Sequence, residues 1–244
     1  PLFRQAVDLM DTGDVEGLTA LLARHKGLTT QREHFPDRAY FRLPSLLEFI
    51  AENPVRNDRL PANTLEVARA IIGADPPPDR ASLTGTLALV CSGRVVREAG
   101  VQVPLIGLLC ANGAEVETGM EHALGHGEFD AVDALLNEGA ELTLCVVAAT
   151  GRTEMAPRLL TAANADERHR ALALSAQYGH ARITRLMLEA GEDPDRYNPP
   201  GCHAHSTPLH QAALAGHEAV VRTLLDHDAR RDIPDKIHNA VPAD

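Results

Sequence analysis

Again and again along this chain a glycine stands eight residues ahead of an adjacent apolar pair, as with Gly13 before Leu21 and Leu22, Gly127 before Leu135 and Leu136, Gly151 before Leu159 and Leu160, Gly179 before Met187 and Leu188, and Gly216 before Leu224 and Leu225. A repeat of this size cannot bury an apolar face by itself, so the units must stack on one another. The copy nearest the C-terminus is the fullest. Thr207 is suited to cap a helix, and Pro208 fits the first helical position, where its missing N–H costs nothing. Gly216 fits the left-handed residue that ends that helix. Val220, Val221, Leu224 and Leu225 then form one apolar stripe of a second helix. Two more pairs, Ile71 with Ile72 and Leu108 with Leu109, bring the expected helix pairs to seven.

The segment Thr207 to Asp232 reads TPLH…AA…GH…VV…LL and resembles the ankyrin-repeat family. Ala171 to Asp195 and His122 to Leu142 match the same pattern without its TPLH opening, and the remainder matches in the glycine turn or the apolar pair. With its Ala, Arg and Asp content and irregular units, the chain looks most like bacterial members. The resemblance implies an all-α helix-pair solenoid of about seven irregular units, with short or missing β-hairpin fingers. The successive pairs lie 50, 37, 27, 24, 28 and 37 residues apart, against about 33 in the family. The short spacings predict tight turns between units. The long ones predict insertions at Asn53–Asn63, Gly93–Gln102 and Pro199–Ser206, and Asp75–Asp79 reads as a rigid turn. The organisation expected is N-terminal units over 1–52 with an irregular linker at 31–44, degenerate units with insertions over 53–118, well-matched repeats over 119–234, and the opening of an eighth unit at 235–244, where Val241 and Pro242 replace Thr-Pro. Such an array is expected to be truncated or covered by a partner at its last face, and self-association through that face is the related expectation.

Aromatic residues are only 3% and Trp is absent, which predicts a core of Ala, Leu, Val and Ile. The formal charge of −11 argues against nucleic acid and anionic membranes and favours a basic protein partner. No run approaches the ~18 apolar residues of a membrane span. Pro1 to Asp14 lacks a secretory signal, so a cytoplasmic location is expected. Cys91, Cys110, Cys145 and Cys202 contain no CxxC pair, so they read as buried thiols in a reducing compartment.

The ankyrin resemblance assigns partner binding to the concave side, at the two residues before each turn glycine and at the finger tips. Here these are Gly125 and His126, Ala149 and Thr150, Gln177 and Tyr178, and Leu214 and Ala215, with Arg196, Tyr197, His203, His205 and Lys236 on the fingers. Tyr178 and Tyr197 are either interface anchors or rings packed over neighbouring turns. His180, His210 and His217 fit the family's structural positions. Cys202, His203, His205 and His210 form the densest set of metal-ligand types, but adjacency and strand alternation scatter them, and no metal is expected. His122 and His126 lack the Glu of a zincin helix, and no GxSxG, Walker loop or dinucleotide fingerprint occurs. The chain therefore reads as a non-catalytic protein-binding module with no cofactor. The alternative is an enzyme, or a subunit regulating one, whose pocket is built by 53–63 and 93–102, with Arg56, Arg59, Arg80, Arg94 and Arg97 supplying a modest anion-binding patch.

Overall fold

A computed structural model describes residues 2–35 and 41–242, so residues 36–40 of the expected linker and the last two of the expected eighth unit lie outside the described residues. Among the described residues there are fourteen α-helices, two short 3-10 helices and no β-sheet, only an isolated bridge between Arg32 and Ser45. The chain divides into two compact units, Pro1–Ala123 with Asp130–Ala140, and Leu124–Phe129 with Glu141–Asp244.

The first unit opens with α1 (Leu2–Thr12), which buries Phe3, Ala6, Val7 and Met10, the spacing of one helical face. The Asp14 carboxylate accepts the Gly17 N–H at 2.9 Å and starts α2 (Val15–Arg24). The first member of the second helix pair is not an α-helix but a buried 3-10 turn, Leu47–Ala51, packed on α3 (Thr64–Ile72) and α4 (Arg80–Val90). Asp79 caps α4 through the Ser82 N–H at 2.7 Å. The insertion at 93–102 carries a helix of its own, α5 (Arg94–Glu98), ahead of α6 (Gln102–Ala111). The next two helices are α7 (Val116–His126) and α8 (Phe129–Asn137).

Composition predicted an aliphatic core, and the first unit departs from it. Four of the chain's five phenylalanines gather there: Phe3, Phe35 and Phe41 surround Phe49 with ring centroids 5.7, 6.1 and 5.1 Å from it. The Arg56 guanidinium lies 4.9 Å from the centroid of Phe49 and reaches both Asp11 oxygens at 2.8 and 2.9 Å. Glu52, fully buried and left-handed at φ 46°, holds the 53–63 insertion from inside. Its carboxylate accepts the N–H groups of Arg56, Asn57 and Asp58 and pairs with the Arg56 side chain at 2.9 Å.

The second unit keeps the expected grammar. Inner helices α9 (Leu144–Thr150), α11 (Ala165–Gln177) and α13 (Pro208–Leu214) lie side by side, while outer helices α12 (Ala181–Glu189) and α14 (Glu218–Leu225) pack behind them. A 3-10 turn at Thr153–Met155 leads into the outer helix of the α9 pair, α10 (Ala156–Leu160). Thr143 and Asn164 cap α9 and α11 by accepting N–H groups at 3.3 and 2.9 Å. Ala148, Ala149, Ala171, Ala173, Ala176 and Ala212 are buried among Leu144, Leu172, Leu174, Leu209, Met187 and Leu224. Small side chains on the inner helices let their backbones approach closely.

Glu52→Ala would leave three backbone N–H groups without their acceptor and the half-buried Arg56 guanidinium with Asp11 alone. It is expected to cost about 3 kcal/mol in urea unfolding. Lys26→Ala, which breaks an exposed pair with Asp75 at 2.6 Å, is expected to stay within about 0.5 kcal/mol.

Candidate functional site on the inner-helix ends and fingers of the second unit

An α-helix leaves its last four carbonyls without intrahelical donors. In the second unit, rings from elsewhere in the chain take these carbonyls. The His180 Nε2–H donates to Ala149 O at 3.0 Å, the His217 Nε2–H to Gln177 O at 3.0 Å, and the Tyr178 hydroxyl to Leu124 O at 2.5 Å. Each ring also lies on a left-handed glycine. A Cβ on Gly151 (φ 71°) would stand 2.6 Å from the His180 ring, one on Gly179 (φ 82°) 2.8 Å from His217, and one on Gly127 (φ 70°) 3.1 Å from Tyr178. These glycines are required by conformation and by the ring above them. His210 does related work at the start of α13: its Nδ1 accepts the Thr207 N–H at 3.1 Å, and its Nε2–H donates to Ala240 O at 3.2 Å.

The expected partner-binding residues fall into two groups. Tyr178 turns inward. It is half-buried, its ring meets Phe129 edge-on at 5.1 Å, and burial raises the phenol above its ordinary range. Gln177 follows it, donating to the Tyr178 hydroxyl at 2.9 Å and to Gly125 O at 3.4 Å. The Thr150 hydroxyl bonds within its own helix, to Val146 O at 2.7 Å. His126 and Ala215 are exposed, and Leu214 is 83% exposed at the end of α13.

The finger residues form a contiguous cluster. The Tyr197 hydroxyl donates to Pro234 O at 2.7 Å, and the Lys236 ammonium stands 3.7 Å from the centroid of the Tyr197 ring. The Lys236 N–H donates to His205 O at 2.8 Å, and His205 Nδ1 meets Asp235 Oδ2 at 2.5 Å. His205 also faces the rings of His203 and His238, with centroids 5.9 and 6.2 Å away. Asp235 is buried, and the His238 N–H above all, aided by His205 and Ile237 against the pull of burial, holds its carboxyl well below the ordinary range. Burial first, then the neighbouring His205 and His126, keeps the His203 imidazole below its usual range. Arg196 is exposed, 3.9 Å from the Asp166 carboxylate. His238 is the finger residue that the sequence reading passed over. Its signal was the kinship of the 235–242 segment with the preceding finger.

Among the described residues, no three His, Cys, Asp or Glu side chains are placed to hold a metal ion. Cys202 is buried, with its sulfur 4.0 Å from Arg170 Nη1. Cys91 and Cys145 are also buried, whereas Cys110 is partly exposed and its thiol is pushed up to about 11 by burial and then by Glu138. The expected anion patch is corrected by the ion pairs around the insertions. Arg56 serves Asp11 and Glu52, Arg80 meets Glu115 at 3.3 Å, Arg94 binds Asp58 and Glu98, and Arg97 lies 4.0 Å from Glu98. These four arginines are paired with carboxylates, no ion pair with a carboxylate is seen for Arg59 among the described residues, and the pocket reading built on the set has no support.

Residues 144–236 match the family model of ankyrin repeats, in three copies. No curated protein matches the chain. No helix among the described residues is long and apolar enough to cross a membrane.

Ring cover separates two glycine turns of equal conformation. Nothing stands within 4 Å of a Cβ on Gly216 (φ 72°), so Gly216→Ala is expected to cost only backbone strain, about 1 kcal/mol. Gly151→Ala should cost about 1–2 kcal/mol more, because the His180 ring must also move. In the His180→Ala background that excess should vanish, and a double-mutant cycle by chemical denaturation measures it.

Proposed function

Because residues 144–236 match the family model of ankyrin repeats, we propose that the chain is a non-catalytic module that docks a partner protein on the inner-helix ends and fingers of its second unit. Ankyrin repeats are generally protein–protein interaction modules. The single observation that carries the reading is the division of labour in this unit. The rings of Tyr178, His180 and His217 are turned inward to fasten the scaffold. Leu214, His126, Arg196, His203 and Lys236 are left exposed beside them. A surface held rigid before contact binds with little ordering cost.

On this reading Leu214, His126, Arg196, Tyr197, His203, His205 and Lys236 touch the partner, and Thr150, Gln177 and Tyr178 set the face on which they stand.

Affinity capture from the lysate of the source organism, followed by titration of the retained protein, tests the proposal. Leu214→Asp is expected to weaken binding by about tenfold or more, as loss of an exposed apolar anchor does. Leu43→Asp alters a comparably accessible leucine of the first unit, 55% exposed, and is expected to leave the affinity unchanged. Equal affinity for both variants and the unmodified chain would place the binding surface elsewhere.

A further inference from the structure

The net charge of −11 describes the whole chain, and its acids are unevenly placed. Between Arg97 and Arg152 there is no Lys or Arg at all. In the last two fingers of the second unit, basic groups and imidazoles gather among the acids. Their one buried carboxylate, Asp235, is used up internally: Oδ1 accepts the Ile237 and His238 N–H groups at 2.8 and 2.9 Å, and Oδ2 meets His205. The two fingers present outward the Lys236 ammonium, the Arg196 guanidinium and the imidazoles of His203, His205 and His238, beside exposed Asp193 and Asp232; of the neighbouring acids, Asp195 accepts the Arg230 N–H and Asp232 pairs with the Arg230 guanidinium. Lys236 stands over an aromatic ring, and among the described residues no carboxylate pairs with it.

Resting on the protein-binding reading above, we propose that these fingers receive an acidic segment of the partner, and that its docking takes up protons on the finger imidazoles. The groups facing the cluster are few. His126 comes from the end of α7, Asp235 from the last finger, and Asp166 from the first turn of α11 against Arg196, behind which His169 is buried near Glu192. Of the carboxylates among these groups, Asp235 meets His205, Asp166 lies against Arg196, and Glu192 is engaged with Arg168 at 2.8 Å. His205 opposes the protonation of His203 across 5.9 Å, as expected of like charges at short range, and the His238 ring stands 6.2 Å from His205. Burial already keeps His203 neutral below its ordinary range. Carboxylates laid across the cluster remove that repulsion and favour the charged imidazoles. Binding and protonation are therefore linked with one sign: affinity rises as pH falls through the imidazole range and is lost as pH rises above it.

The test uses the full chain and a fluorescent peptide of alternating Glu and Ser, followed by anisotropy at constant ionic strength. Peptides with Gln or Lys in place of Glu, and a single-stranded DNA competitor, serve as controls. The Glu peptide is expected to bind saturably, about tenfold tighter at about pH 5.8 than at about pH 7.8. His203→Gln with His238→Gln should flatten that pH dependence, which separates the local cluster from the charge of the whole chain. Lys236→Gln should weaken binding about threefold or more at both pH values. Circular dichroism confirms that these exposed-residue variants stay folded.

Absence of saturable binding, a pH dependence that survives the double variant, equal binding of the Lys peptide, or equally effective competition by DNA would each overturn the inference. If the Glu peptide fails while Leu214→Asp still releases the captured protein, the acidic-partner inference falls and the binding module stands. If Leu214→Asp releases nothing, the binding reading itself has failed.

Discussion

Short helices leave much of their backbone unsatisfied, and the second unit is organised around where those carbonyls find donors. α9 and α13 have seven residues each, so four open carbonyls are more than half of such a helix. Imidazole and phenol groups close part of that deficit from a distance in sequence. His180 crosses to Ala149, His217 to Gln177, and Tyr178 to Leu124. Because each ring must lie flat on a turn to reach its carbonyl, the turn has to be glycine. Turn, ring and helix end form one joint, and burial of alanine and leucine between the helices fills in around it.

The repeated joint is why so much of this half was legible in the sequence. A glycine at fixed distance from an apolar pair is a local signal, and positive φ at Gly127, Gly151, Gly179 and Gly216 is its direct physical meaning. The roles of His180, His210 and His217 followed from position in the repeat. Tyr178 was harder, because its choice between anchor and packing ring depends on Leu124 and Gly127, more than fifty residues away in sequence. The finger residues were named individually, but their assembly around His205 was not, since it needs two fingers placed side by side.

The first unit was less legible for a definite reason. There the repeat is interrupted, and tertiary groups replace it. A 3-10 turn stands where a helix was expected because Leu47 to Ala51 are all buried and Glu52 turns left-handed to gather the following loop. Phe3, Phe35 and Phe41, spread along the chain, meet around the ring of Phe49. The scattered arginines suggested an anion site, yet Asp11, Asp58 and Glu115 are brought to Arg56, Arg94 and Arg80 by folding, and Glu52 and Glu98 reach Arg56 and Arg94 across one helical turn's length of chain. Charge counted along a chain does not report charge in space.

Function then follows from what the joints leave over. Groups that fasten the scaffold are turned inward, and those that remain exposed are suited to contact. Hydrogen exchange across α9, α11 and α13, with and without His217→Ala, measures whether the joints make the unit one body. The three inner helices should open together in the unmodified chain, and the substitution should release α13 and α14 to open on their own. If α13 and α14 already exchange independently while His217 is intact, the rings do not bind the repeats into one docking surface and the account is wrong.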